Sequence, residues 1–138
     1  MRLDEYPVRS NSVKMLLEFT IAVNNERAFY PVERVFCKGQ LVSQPGGTLT
    51  EKLIDPTETE CIEKCQEAAW AAFKAVGGNE KGYGRVDLRQ DPESGDIFVL
   101  EVNNTCSLAP NSYFQLSVEA VGSSKKKILR DILKAVHH

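Results

Sequence analysis

The sequence predicts an α+β domain, an antiparallel sheet with helices packed on one face. The chain has 138 residues, of which 42% are hydrophobic and 26% charged, a balance typical of one globular domain. Two pairs of strand-like segments are separated by a long helical segment, and further helical patterns close the chain. This order of elements favours an antiparallel sheet with segregated helices.

The first strand pair is predicted from an apolar pattern that changes at a turn. Apolar residues crowd the segment 13–23 and alternate through its second half, which is typical of a strand. Asn24 and Asn25 offer a turn, and residues 28–36 form the second strand. Pro31 inside that strand indicates an edge or a bulge. Residues 38–52, rich in Gly, Ser and Thr, are predicted to be a long exposed loop with room for one short strand.

The central helix has the clearest boundaries in the sequence. Pro56 suits the first turn of a helix, and Thr57 with Glu60 matches a capping box. Apolar residues then recur at helical spacing, and Gly77-Gly78 ends the pattern. The sequence therefore predicts a helix over 57–76.

A second hairpin and two helical patterns complete the chain. Strands are predicted at 82–90 and 96–103, joined by a hairpin loop that contains proline and glycine. Helical patterns cover 112–121 and 124–136, with a glycine between them. The whole of 13–136 is thus expected to form one domain.

Charge and hydropathy exclude several classes of protein. Seventeen basic against nineteen acidic residues give a net charge of -2, which disfavours a nucleic-acid-binding footprint. No apolar run approaches the length of a membrane span, and the first residues lack the apolar stretch of a signal peptide. We therefore expect a cytoplasmic protein with no nucleic-acid or membrane partner, and the sequence leaves a homodimer open.

The cysteines and histidines narrow the chemistry further. All four cysteines are expected to be reduced thiols, and no CxxC spacing predicts zinc: Cys37, Cys61, Cys65 and Cys106. The only histidines, His137 and His138, are interpreted as a tag remnant, so a histidine base or catalytic triad is not expected. The chain therefore divides into a poorly defined segment 1–12, the domain 13–136 and the remnant 137–138.

The side chains that could carry chemistry lie on the second predicted hairpin. Because side chains alternate along a strand, Arg85 and Asp87 share one face, and Glu101 and Asn103 likewise share a face. A charged face on an antiparallel hairpin is usually a solvated face, and that interpretation stays open at this point. The alternative is a binding site for a cation.

The register decides between these interpretations. If Gln90 pairs with Phe98, Asp87 lies opposite Glu101, and their Cβ atoms are only ~4.5–5.5 Å apart. Two carboxylates at that distance need a positive charge between them. Carboxylate and amide oxygens are ligands that Mg²⁺ accepts, so this pattern favours a magnesium site. The alternate apolar residues are expected on the reverse face, buried against the helices: Val86, Leu88, Phe98, Leu100 and Val102.

These residues resemble a known family. Four segments resemble the C-terminal lobe of ATP-grasp ligases, most closely that of the D-alanine–D-alanine ligases. They are Gly84-Arg-Val-Asp, Leu100-Glu-Val-Asn, Ser112 and the helix start at Gly122-Ser123. The segment 18–23, Glu-Phe-Thr-Ile-Ala-Val, resembles the Glu-x-Thr-Val strand upstream in that family. The resemblance covers about residues 17–136.

The resemblance implies an ATP-grasp C-terminal lobe that is incomplete relative to a full ATP-grasp enzyme. It implies a reaction in which ATP phosphorylates a carboxylate and an amine displaces phosphate, giving an amide and ADP. The implied cofactor is Mg²⁺ (or Mn²⁺), with ATP as substrate alongside small carboxylate and amino-acid-like substrates. The implied partner is the missing N-terminal ATP-grasp lobe, and this chain alone is expected to be inactive.

The resemblance also assigns roles to the hairpin residues. Asp87, Glu101 and Asn103 are implied to hold the metal ions that bridge the ATP phosphates. Arg85 is implied to stabilise the acyl-phosphate and the tetrahedral intermediate. Charge that develops in a transition state is stabilised by groups already in place, which suits a fixed guanidinium.

The remaining implied roles concern the nucleotide and the second substrate. Leu100 is implied to touch adenine, Glu18 to lie near the ribose, and Ser112 to contact the carboxylate of the second substrate. The family's Pro-Gly is replaced here by Cys106-Ser107, so the Ser107 amide would stand in the place of the glycine amide. This departure leaves open a ligase with a different acceptor, or a non-catalytic binding module derived from the fold.

Overall fold

The computed structural model describes residues 16–36, 49–80 and 82–136. The strands within these ranges are β1 (Leu17–Asn24), β2 (Val32–Phe36), β3 (Leu49–Leu53), β4 (Tyr83–Gln90) and β5 (Ile97–Asn103). The helices are α1 (Thr59–Ala75), which precedes β4, and α2 (Tyr113–Glu119) and α3 (Lys125–Val136), which follow β5. The segments 1–12 and 137–138, Cys37 and most of the predicted loop 38–52 lie outside the described residues.

All five strands form one antiparallel sheet in the order β3-β2-β1-β4-β5. The α+β class and both predicted hairpins are confirmed. The short strand for which residues 38–52 had room is β3, which pairs with β2. β1 lies at the centre of the sheet between β2 and β4, and its residues are almost entirely buried. No helix in the described ranges is long and apolar enough to cross a membrane.

The helices divide between the two faces of the sheet, whereas the order of elements predicts them on one face. Phe19 and Ile21 of β1 pack against α1 in one cluster of buried residues. Ala22, which points to the opposite face, packs against Phe114 and Val118 of α2 in a second cluster. The order of elements does not reveal this division, because it shows neither that β1 is the central strand of the sheet nor that both of its faces are covered.

The second strand begins at Val32 rather than at residue 28, because a helix side chain replaces part of its ladder. The ladder between β1 and β2 extends only to Thr20 and Val32. Beyond it, Ser117 of α2 accepts hydrogen bonds from the amides of Ala22 (2.9 Å) and Tyr30 (3.2 Å). The same hydroxyl donates to the carbonyl of Tyr30 (2.6 Å). Ser117 therefore satisfies three backbone groups at the point where the strands separate.

The start of α1 differs from the predicted capping box. The helix begins at Thr59, and its cap residue Glu58 makes no side-chain cap hydrogen bond. Instead, Asp55 accepts hydrogen bonds from the amide (2.9 Å) and the hydroxyl (2.8 Å) of Thr57. The capping box predicted for Thr57 and Glu60 is therefore wrong, because the Asx turn of Asp55 occupies Thr57 before the helix begins.

Candidate functional site

The predicted carboxylate pair comes together on adjacent strands. Asp87 of β4 lies opposite Glu101 of β5, and Arg85 lies opposite Asn103. Directly opposed residues share a face of the sheet, so these four side chains belong to one surface. We call this surface the site face; it also carries Arg89 of β4, Glu18 and Thr20 of β1, and Arg34 of β2. α2 packs on the same side of the sheet. Ala22 of β1 contacts α2, and it shares a face with Arg85 because the two residues are directly opposed.

A β-bulge produces this register. At the turn, Gln90 pairs with Ile97 and not with Phe98, so the predicted starting pair is wrong by one residue. Leu88 pairs with Val99, the register then shifts, and the ladder resumes with the opposed carboxylates. One residue of β5, Leu100, is left without a partner in the ladder, as the extra residue of a bulge is. The bulge thus restores the predicted Asp87–Glu101 pair.

The bulge also changes the surroundings of two apolar residues of β5. Phe98 lies opposite Arg89, which belongs to the site face. Phe98 is 52% exposed and Leu100 is 48% exposed, whereas Val86 and Leu88 are fully buried. The expectation that Phe98 and Leu100 are buried against the helices is therefore wrong. On an edge strand with a bulge beside Leu100, these two side chains are exposed to solvent instead.

Asp87 is buried and fully engaged by neighbouring donors. Thr20 of β1 donates its hydroxyl to Oδ1 of Asp87 at 3.0 Å. Arg85 donates from Nε to Oδ1 (3.1 Å) and from Nη2 to Oδ2 (3.3 Å). Thr20 was not singled out from the sequence, although its alternation with Phe19 and Ile21 places it on the site face. A buried carboxylate is tolerated here because donors and a cation surround it.

Glu18 of β1, a further carboxylate predicted to belong to the site, is held by two arginines. Arg34 of β2 donates to Glu18 Oε1 at 3.0 Å, and Arg89 of β4 approaches Oε2 at 3.5 Å. Sequence reasoning missed both arginines, because they come from the two strands that flank β1. Burial alone would lower the pKa of Arg34, but attraction to Asp87, Tyr113 and Glu18 outweighs it, so its pKa is raised.

An aromatic residue of α2 touches the same arginines. The ring centroid of Tyr113 lies 4.4 Å from Cζ of Arg34 and 5.8 Å from Cζ of Arg85. Both distances are within the range of a cation–π contact. Burial raises the pKa of the Tyr113 phenol, although the two arginines oppose the shift. No local sequence pattern indicates this residue, whose contacts depend on how α2 packs over the sheet.

Glu101 and Asn103, the other two residues of the predicted metal site, differ in their contacts. Glu101 is exposed, and in the described part of the chain it makes no hydrogen bond or ion pair. Asn103 accepts hydrogen bonds at Oδ1 from the amide (3.0 Å) and the hydroxyl (3.2 Å) of Thr105. No group of three His, Cys, Asp or Glu residues is close enough to hold a metal among the described residues. Two carboxylates and one amide oxygen nevertheless form a donor set of the kind that suits Mg²⁺ with substrate phosphates.

The predicted substrate contacts lie in the segment between β5 and α2. Ser112 caps α2 and accepts a hydrogen bond from the amide of Gln115 (3.3 Å). Ser107 is exposed and accepts one from the amide of Ala109 (3.2 Å). Burial raises the pKa of the Cys106 thiol, with Arg85 opposing the shift. Cys106 is thus a buried thiol beside the site. Its position corresponds to the proline of the Pro-Gly pair in the family that the sequence resembles.

A family model matches most of the chain. The model described as "D-ala D-ala ligase C-terminus" matches residues 17–134. This range includes every residue of the site face and the segment that leads to α2.

Curated relatives carry the same description. The D-alanine–D-alanine ligase of Xanthomonas axonopodis pv. citri is 33% identical over 110 residues, which is 74% of this chain and 34% of that protein. The D-alanine–D-alanine ligase of Acinetobacter baumannii is 37% identical over 78 residues, 56% of this chain and 24% of that protein. The chain spans at most about a third of the length of these relatives.

Solved structures share the fold. A D-alanine–D-alanine ligase from Bacillus anthracis complexed with ATP superposes with a TM-score of 0.69 and 22% identity, over 86% of this chain and 37% of that one. The D-alanyl-alanine synthetase A from Vibrio cholerae gives a TM-score of 0.65 and 20% identity, over 89% of this chain and 39% of that one. Because the identity is low, these likenesses show the fold alone.

Proposed function

The chain belongs to the family of D-alanine–D-alanine ligase C-terminal domains, and from this premise we propose that it is the ATP- and Mg²⁺-binding lobe of an ATP-dependent carboxylate–amine ligase. In such a reaction ATP phosphorylates a carboxylate, and an amine then displaces phosphate to give an amide and ADP. The lobe acts together with a preceding ATP-grasp lobe and has no turnover alone. Reduced thiols and an ATP substrate fit a reaction in the cytoplasm.

The opposition of Asp87 and Glu101 carries the proposal. Two carboxylates on one face repel each other, and Arg85 compensates only Asp87, through both of its oxygens. Glu101 projects from the edge strand without a partner in the described part of the chain. A divalent cation between them would neutralise both carboxylates at once, and the oxygen of Asn103 would be a third ligand.

The metal would supply Lewis-acid chemistry by neutralising charge on phosphate oxygens. The chain's own groups would then position the reactants. Arg85, fixed by Asp87 and close to the Tyr113 ring, would stabilise the charge that develops on the acyl-phosphate and on the tetrahedral intermediate. Such chemistry needs orientation and fixed charge, and it requires no side-chain nucleophile.

The nucleotide would lie along the site face towards the edge strand. Leu100, exposed at the bulge, offers an apolar surface for adenine beside Phe98. Glu18, held by Arg34 at 3.0 Å, would accept hydrogen bonds from the ribose hydroxyls. This arrangement places apolar and polar groups on one surface, as most small-molecule sites do.

The acceptor side is where this chain departs from its family. Ser112 would contact the carboxylate of the second substrate, and the Ser107 amide would take the place of the glycine amide. Cys106 packs in the buried cluster with Phe114, so its neighbour Ser107 has a fixed anchor on one side. The replacement of Pro-Gly by Cys106-Ser107 favours a second candidate, a ligase of the same mechanism with an acceptor other than D-alanine.

Calorimetric titration of this chain with a non-hydrolysable ATP analogue tests the proposal. We expect heat of binding with Mg²⁺ present and none with an excess of chelator. Equal binding in both conditions would remove the metal from the account, and no binding in either would favour a non-catalytic module. With the relatives' preceding lobe supplied in trans, ADP formation with D-alanine or with other amino acids separates the two acceptors.

A further inference from the structure

Tyr113 is the contact shared by two arginines that arise from different strands. Arg34 is on β2 and Arg85 is on β4, and β1 lies between these strands. Their Cζ atoms lie 4.4 Å and 5.8 Å from the centroid of the Tyr113 ring. A guanidinium is attracted to the face of an aromatic ring at these distances. One ring on α2 therefore restrains charged groups on both sides of the central strand.

Besides the contact with the Tyr113 ring, each of these arginines forms an ion pair with a carboxylate. Arg34 pairs with Glu18 at 3.0 Å, and Arg85 pairs with Asp87 at 3.1 Å. The Nε of Arg34 is buried, and it has no hydrogen-bond partner among the described residues. Hydrogen bonds alone thus leave the plane of this guanidinium incompletely fixed. The face of the Tyr113 ring supplies the missing restraint.

We infer that Tyr113 is a positioning residue whose aromatic ring holds Arg34 and Arg85 in the orientations that pair them with Glu18 and Asp87. Through these pairs the ring orders the side chains proposed for the ribose and for the metal and phosphates, and in this respect the inference rests on the proposed function. Both arginines lie over the ring, whereas the phenol hydroxyl interacts by a hydrogen bond with Arg34 alone. For a restraint exerted by the ring face, Tyr113→Phe should preserve the effect, and Tyr113→Leu, which keeps apolar bulk without a π face, should remove it.

The restraint can be measured without any ligand. In the NMR spectrum of this chain, the Nε–H signals of Arg34 and Arg85 should be shifted upfield by the ring current of Tyr113. The shift should persist in Tyr113→Phe and disappear in Tyr113→Leu. Signals at free-arginine positions in the unaltered chain would overturn the inference, whether or not the leucine variant folds.

Binding then shows whether the positioning matters for the site. With the Mg²⁺ complex of a non-hydrolysable ATP analogue as probe, Tyr113→Leu should bind about tenfold more weakly, the loss expected for one strong cation–π contact, and Tyr113→Phe should bind as the unaltered chain does. Trp70→Leu is the matched control, because Trp70 makes a cation–π contact elsewhere, on α1. There Nζ of Lys74 lies 5.7 Å from the centroid of the Trp70 ring. Trp70→Leu should leave binding unchanged.

The outcomes separate this inference from the proposed function. If the unaltered chain binds no nucleotide, the proposed function fails, while the ligand-free spectra still decide whether Tyr113 orients the arginines. If the unaltered chain binds and Tyr113→Leu binds equally well, the ring has only a space-filling role and the inference is overturned. Loss of binding in both the phenylalanine and leucine variants would also overturn it, since the hydroxyl would then be the functional group.

Discussion

Asp87 and Glu101 face each other across β4 and β5, yet one is buried and the other exposed. Asp87 accepts three hydrogen bonds, from Thr20 and Arg85, and so contributes to the fold as well as to the proposed site. Glu101 has no such contacts in the described part of the chain. The two members of one carboxylate pair should therefore respond differently to substitution, and this difference separates stability from metal binding.

Glu101→Gln should weaken nucleotide binding without changing the fold. Substitution of an exposed residue that makes no hydrogen bond or ion pair usually changes the free energy of unfolding by less than about 0.5 kcal/mol. Loss of one carboxylate ligand should reduce the affinity for the Mg²⁺ complex of an ATP analogue by at least about tenfold, because removal of even a residue that only orients a metal ligand typically costs about 10–100-fold. Calorimetry and thermal unfolding check the two parts. Glu67→Gln, another exposed glutamate, on α1, is the control and should change neither.

Ser117→Ala should destabilise the domain strongly although it removes only one oxygen atom. The hydroxyl is fully buried and satisfies the amides of Ala22 and Tyr30 and the carbonyl of Tyr30. Each buried amide left without a partner costs about 1–3 kcal/mol, and two amides lose theirs, so we expect a loss of roughly 2–6 kcal/mol in the free energy of unfolding. Denaturant unfolding measures it. Ser107→Ala removes an exposed hydroxyl and should have little effect; equal losses in both variants would contradict the assignment.

Cys65 should make the domain less stable in alkali. Burial raises the pKa of this thiol well above its ordinary value of 9.0. Because the folded-state pKa is the higher one, the stabilisation is complete below about pH 9 and is lost as pH rises towards the folded-state pKa. The free energy of unfolding should fall by up to about 1.4 kcal/mol per pH unit from this group.

Cys65→Val removes the ionisable group and keeps an apolar side chain at this buried position. Denaturant unfolding from pH 8 to pH 10 should therefore show a shallower alkaline decline in the variant than in the unaltered chain. Cys61 has a raised pKa from burial as well, so part of the decline should remain. Parallel curves would mean that Cys65 does not contribute.

The sequence was sufficient to predict which polar residues of the hairpin share a face, but not to predict the bulge. Arg85, Asp87, Glu101 and Asn103 could be assigned to one face because their spacing follows the strand period of two. The run 97–100 is apolar throughout, so it contains no alternation from which an extra residue can be detected. The starting pair at the turn was therefore predicted one residue out of register, and Phe98 was assigned to the wrong face.

The rest of the site depends on contacts that no local pattern reveals. Arg34 and Tyr113 come from β2 and α2, far apart in sequence, and they meet only because α2 packs over the site face. The division of helices between the two faces likewise follows from tertiary packing around a buried β1. At the start of α1, Asp55 and Thr57 both have capping side chains, so composition alone could not distinguish the Asx turn from a capping box.

The most direct test of the central claim is calorimetric titration of Asp87→Asn with the Mg²⁺ complex of a non-hydrolysable ATP analogue. Asparagine keeps the shape of the side chain and can still accept from Thr20, so circular dichroism should show the fold retained. Asp96→Asn, in the loop of the same hairpin and exposed, is the matched control. We predict that Asp87→Asn binds at least about tenfold more weakly, a difference of ~1.4 kcal/mol, while Asp96→Asn binds normally. A folded Asp87→Asn variant with unchanged, magnesium-dependent affinity would contradict the assignment of this carboxylate pair as the metal site.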